Sequence, residues 1–89
     1  MASIVDGRKL LATYLRRIRD RVKGDCVCVY PRKVLHFFDK DPAEHGDLVQ
    51  AVRLVLRYLE VHGLARKWSR HGYIIYLRDL EKVLEVLGQ

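Results

Sequence analysis

Arg66, Lys67, Arg70 and His71 crowd together around Ser69 and Gly72. Cations this close in sequence can hold a phosphate if a stiff backbone presents them. The other reactive groups are sparser. Cys26 and Cys28 are one residue apart, and in an extended segment they project from the same face, a poor geometry for bridging to each other. The histidines His36, His45, His62 and His71 lack metal-site spacing, so no metal is expected. Two reduced, half-buried thiols packing as small hydrophobes are expected instead. His36, between Leu35 and Phe37, reads as a half-buried structural histidine, and His62 as a helix C-terminal residue at the negative end of the dipole. Neither has a Ser, Cys or carboxylate nearby in a nucleophile–base pattern, and there is no carboxylate pair or Gly-rich phosphate loop. The chain reads as a non-enzymatic protein without cofactor.

The 89 residues carry 17 Lys plus Arg against 11 Asp plus Glu, a net charge of +6. With 49% apolar and 31% charged residues, the composition is that of one folded domain over residues 1–89. No apolar run approaches the roughly 20 residues of a membrane span, and Met1 to Asp6 lack a basic region followed by an apolar one. The expectation is a cytoplasmic protein, nucleoid-associated if prokaryotic, with a polyanion as partner. There is no Asn, and Arg outnumbers Lys 11 to 6, a balance that fits a thermophile.

The elements that must position these residues follow from periodicity. Leu10, Leu11, Tyr14, Leu15, Ile18 and Val22 form one stripe of a helix over about residues 6–23, capped by Ser3 or Asp6 and stopped by Gly24. The opposite face holds Arg16, Arg17 and five further cations. Residues 26–30 read as a short strand stopped by Pro31, which opens a short helix to about residue 38. A long, apolar helix is expected over about residues 43–62, opened at Asp41-Pro42 or reset at Gly46-Asp47 and closed by Gly63. The period then drops from 3.6 to 2 across residues 64–77, a β-hairpin with the basic tip. Asp79 caps a last helix to about residue 88, with Leu80, Val83, Leu84 and Leu87 on one face.

This order of elements resembles the winged helix-turn-helix superfamily from about Asp6 to Leu87. The most family-like stretch is Leu56-Arg57-Tyr58-Leu59-Glu60-Val61-His62-Gly63-Leu64, which looks like the passage from recognition helix to first wing strand. The resemblance implies an α+β, mostly helical winged helix-turn-helix with a C-terminal helix. It implies that the residue 43–62 helix enters the DNA major groove, with Gln50 able to read adenine and Arg53 guanine, and with Ala51, Leu54 and Arg57 also exposed. The wing then offers Arg66, Lys67, Arg70 and His71 to phosphate. Arg32 and Lys33 stand at a helix N-terminus where an anion is favoured.

The chain departs from that pattern at Leu54, where DNA readers of the superfamily commonly carry a polar or basic residue. Together with Val55, Tyr58 and Val61, it suits a protein surface. The acids Asp39, Asp41, Glu44 and Asp47 precede the reading face, and residues 34–65 carry net −2 against +6 for residues 1–33 and +2 for residues 66–89. Two functions stay open. One is a transcriptional regulator or chromatin-like factor that holds duplex DNA by its backbone with weak sequence specificity. The other is a protein-interaction module of a replication, transcription or ribosomal assembly, docking through the Leu54 face, with RNA binding inside such an assembly a third reading. Leu84 and Leu87 either cover the core or join a homodimer. The basic first helix is either a phosphate strip or a solvated face, and Trp68 with Tyr73 either stacks on a base or forms a cross-strand pair.

Overall fold

The computed structural model, which describes residues 3–88, opens with a capping box at Ser3. Ser3 Oγ accepts the Asp6 backbone N–H at 3.4 Å, and Asp6 Oδ2 accepts the Ser3 N–H at 3.0 Å. Ser3 is therefore the cap, and helix α1 spans Ile4–Ile18 rather than starting near residue 6. It does not reach residue 23 as an α-helix. Arg19–Arg21 form one tighter turn, and Val22 leaves it extended, a common way for a helix end to narrow before a bend. Residues 1, 2 and 89 of the expected domain lie outside the described residues.

Strand β1 covers Cys26–Val29 and helix α2 covers Pro31–Phe37. Val27 and Val29 point into the core, so Cys26 and Cys28 share the other face. Both thiols are free, and Cys28 is exposed, not half-buried as expected. Pro31 stands in the first turn of α2 after an extended Tyr30. Val34 and Leu35 face inward, which turns His36 outward into solvent and corrects its reading as a half-buried residue. Asp39 adopts a left-handed conformation, φ 58°, and redirects the chain.

The next residues form a turn, not a helix. Asp41 Oδ1 accepts the Ala43 N–H at 2.9 Å, while its carbonyl accepts Glu44 and His45 at 3.0 and 3.1 Å. Helix α3 accordingly begins at Gly46 and runs Gly46–Val61. Its buried residues, from Leu48 to Leu59, supply the middle of the core between α1 and α2. At its end the Gly63 N–H donates to the Glu60 carbonyl and the Leu64 N–H to the Leu59 carbonyl, at 3.0 and 2.8 Å, with Gly63 at φ 75°. That paired stop consumes Leu64, so the first hairpin strand shrinks to β2, Arg66–Lys67.

Strand β3, Tyr73–Tyr76, is the centre of one three-stranded antiparallel sheet in the order β1-β3-β2. Val27 lies opposite Ile75 and Val29 opposite Tyr73; Lys67 is also opposite Tyr73 on the other side. Helix α4, Leu80–Gly88, buries Leu80, Val83, Leu84 and Leu87. It runs antiparallel to α1, because Arg8 Nη2 donates to the Val86 carbonyl at 3.1 Å while Arg19 pairs with Glu81 at 2.9 Å. The chain is thus α+β and mostly helical, with four helices and a small sheet among the described residues. Among the described residues no helix is long and apolar enough to cross a membrane.

Candidate functional site

Tyr30 is the residue on which the basic segments converge. It caps α2 on one side of the sheet edge, and its ring meets the hairpin tip. A Cβ added to Gly72 would stand 2.5 Å from Tyr30 Cε1, so only glycine lets the tip backbone lie this close. The Trp68 Nε1–H donates to Tyr30 Oη at 3.1 Å, and Lys33 Nζ sits over the Tyr30 ring at 4.9 Å. Within the tip, the Trp68 and Ser69 N–H groups both donate to the Gly72 carbonyl, at 3.0 and 3.3 Å. One tyrosine therefore fixes the start of α2, with Arg32 and Lys33, against the loop that carries Arg70 and His71.

Lys67 is held separately. Its ammonium lies 4.8 Å from the centre of the Tyr73 ring and 3.5 Å from Tyr73 Oη. Tyr73 itself is buried, so the expected Trp68–Tyr73 pair does not form: register puts Lys67 opposite Tyr73, and Trp68 lies beyond the last pair and turns to Tyr30. Arg32, Arg66, Arg70 and His71 are exposed, and among the described residues their side chains have no hydrogen bond, ion pair or ring contact. Charged groups presented this way keep their full capacity for an external anion.

The arginines of α1 and of the turn that ends it are differently placed. Arg8 and Arg19 bind α4 as described above, the Arg16 guanidinium lies against Gly88 at the end of α4, and Arg17 stacks over Phe38 at 5.6 Å. Cations at the C-terminus of α4 offset the partial negative charge of its free carbonyls. Arg16 and Arg17 thus have contacts within the chain, and none of those contacts joins them to the Tyr30 cluster.

Helix α3 presents a divided outer surface. At about 100° per residue, Gln50, Arg53 and Arg57 fall on one strip and Leu54, Tyr58 and Val61 on the adjoining one. Gln50 and Arg57 are exposed, and Arg53 is half-buried with its Nε enclosed and without a hydrogen-bond partner. Leu54, Tyr58 and Val61 are 48%, 50% and 77% exposed. Val55 is not part of this strip; it points between α1 and α4 and is buried, as are Leu84 and Leu87. Val55, expected at a protein interface, belongs to the core. Of the two roles open to Leu84 and Leu87 the structure shows the covering of the core, because α4 lies lengthwise on α1 and its apolar face is spent there. Beside the strip, Ile4, Tyr58 and Val86 line a pocket of about 200 Å³, and the Tyr58 ring meets that of His62 at a tilt of 53° with ring centres 4.4 Å apart.

The structure therefore brings Lys33, Trp68 and the Gly72 backbone onto Tyr30, with Arg32 next to Lys33 in the chain and Arg70 and His71 in the loop between Trp68 and Gly72. It sets Arg66 and Lys67 on the adjoining strand and leaves Gln50, Arg53 and Arg57 on a separate helix face. Sequence reasoning passed over Tyr30, whose partners at the hairpin tip, Trp68 and Gly72, are 38 and 42 positions away in the chain. Among the described residues no three His, Cys, Asp or Glu side chains are grouped to hold a metal ion. No protein-family model matches the chain, and no curated protein or solved structure matches it either.

Proposed function

We propose that this chain is a non-enzymatic nucleic-acid-binding domain of the winged-helix type, a transcriptional regulator or chromatin-like factor. It grips the duplex DNA backbone with weak sequence specificity. The element order and the sheet order β1-β3-β2 are compatible with that fold, with residues 66–76 as the wing and α3 as the recognition-type helix. One observation carries the reading: Tyr30 clamps the basic start of α2 to the basic hairpin tip, so cations from two elements are presented together by a stiff support. Arg66, Arg70 and His71 contact phosphates from the wing, Arg32 and Lys33 from the start of α2. Gln50, Arg53 and Arg57 face the groove but share their helix with Leu54 and Tyr58, which limits base reading.

A mobility-shift titration of duplex DNA at two salt concentrations tests this. Affinity falls steeply with salt, and Arg66→Ala with Arg70→Ala lowers it for every sequence while flattening the logarithmic salt slope by about 2. Unchanged affinity in the double variant removes the wing from the interface.

The exposed strip of Leu54, Tyr58 and Val61, continued by the Ile4–Val86 pocket, favours a second role as a protein-docking face within a larger assembly. Leu54→Arg then abolishes assembly and spares nucleic-acid binding; an intact assembly in that variant excludes the face.

A further inference from the structure

Trp68 is the single tryptophan of the chain, and its surroundings define a second kind of contact. Its backbone N–H closes the hairpin tip on Gly72, and its indole N–H is taken by Tyr30 Oη at 3.1 Å. Both of its N–H donors are thereby satisfied inside the molecule, yet the side chain remains 58% exposed. Tyr73, the neighbour that could have covered it across the hairpin, is buried beneath Lys67. What the anchored indole presents to solvent is apolar ring surface held in one orientation, with Arg70 and His71 two and three residues further along the same tip.

A flat apolar face beside unpartnered cations complements a nucleobase joined to its phosphodiester. Bases inside a duplex show their edges, whereas an unpaired base shows its face, and stacking on a fixed aromatic ring is tolerant of base identity. We propose that Trp68 is a stacking platform for an unpaired base, so that the hairpin tip binds single-stranded segments in addition to duplex backbone. The proposal rests on the nucleic-acid reading above and adds a strand preference to it. Holding the indole in advance by Tyr30 removes rotamer freedom that stacking would otherwise have to freeze.

The test uses the intact chain and the emission of its one tryptophan. Titration at low salt with a single strand of about 12 nucleotides quenches that emission by roughly half or more, and a blunt duplex of equal length leaves it nearly unchanged. Trp68→Ala weakens single-strand binding about tenfold with duplex binding within about twofold, and Trp68→Phe restores most of the loss. Single-strand saturation without quenching overturns the platform, as does a Trp68→Ala variant that weakens both ligands equally. Duplex binding together with an indole that stays silent toward the single strand removes the stacking proposal alone, while failure of both ligands to bind removes the nucleic-acid reading and the platform with it. The quenching arm uses wild-type protein and so stands even if a variant fails to fold.

Discussion

Gly72 and Tyr30 are in backbone-to-ring contact, close enough that a Cβ at position 72 would lie 2.5 Å from Cε1 and 2.9 Å from Cζ of the phenol ring. Gly72→Ala forces the ring or the tip aside and costs about 1–3 kcal/mol, as overpacking of a filled contact does. The ring also orients Trp68 and Lys33, so the variant loses nucleic-acid affinity as well. Thermal unfolding and a binding titration check the two effects.

The crossing of α1 over α3 makes an analogous demand at Gly7. A Cβ there would stand 2.7 Å from the Ala51 carbonyl carbon and 2.9 Å from Ala51 Cβ. In an open helix, Gly→Ala gains roughly 0.5–1 kcal/mol. Here the helices must separate, at a cost of about 1–3 kcal/mol, and Gly7→Ala is the less stable protein. A raised denaturation midpoint would contradict the close crossing.

The division of labour among the arginines is measurable. Arg16→Ala and Arg17→Ala leave nucleic-acid affinity within about twofold, whereas Arg32→Ala with Lys33→Ala weakens it and lowers the salt slope by about 2. Arg8→Ala acts on stability instead, by about 1.5–3 kcal/mol at most, because it removes a charged donor from the Val86 carbonyl. Mobility shift and urea denaturation on the same variants separate the two groups.

Tyr14 packs edge-on against Phe37 with ring centres 5.2 Å apart, and its partial burial raises the phenol above its ordinary value of 10.0. The folded state holds the proton more tightly than the unfolded chain does. The resulting stability is fully present below pH 10 and is lost as pH rises through the folded-state value. Stability is therefore expected to fall above pH 10, and Tyr14→Phe is expected to fall less steeply there. Chemical denaturation between neutral pH and about pH 11 reads the difference.

Much of the fold was legible because the signals were local. Ser3 with Asp6, Pro31 after a β-branched run and Gly63 after the apolar helix each marked an element by short-range geometry. The boundaries that slipped did so where one hydrogen-bonding group was claimed by a competing turn, as at Asp41 before α3 and at Leu64 before β2. Of the proposed site, the cations of the hairpin tip were visible as a cluster. Their support was not, since Tyr30 reaches Trp68 and Gly72 only through the folded sheet. The width of the apolar stripe on α3 foretold an exposed strip, but periodicity alone did not separate Val55, which faces α1 and α4, from Leu54, which faces outward.

The two-residue length of β2 also bears on self-association. An uncovered strand edge is a template on which another chain can add its own hydrogen bonds. β2 is the outermost strand on its side of the sheet and carries only Arg66 and Lys67, both exposed. A second copy approaching there finds few backbone groups to pair with and two like charges in its way. So short and so charged an edge disfavours the strand addition from which fibrils and sheet-linked aggregates grow.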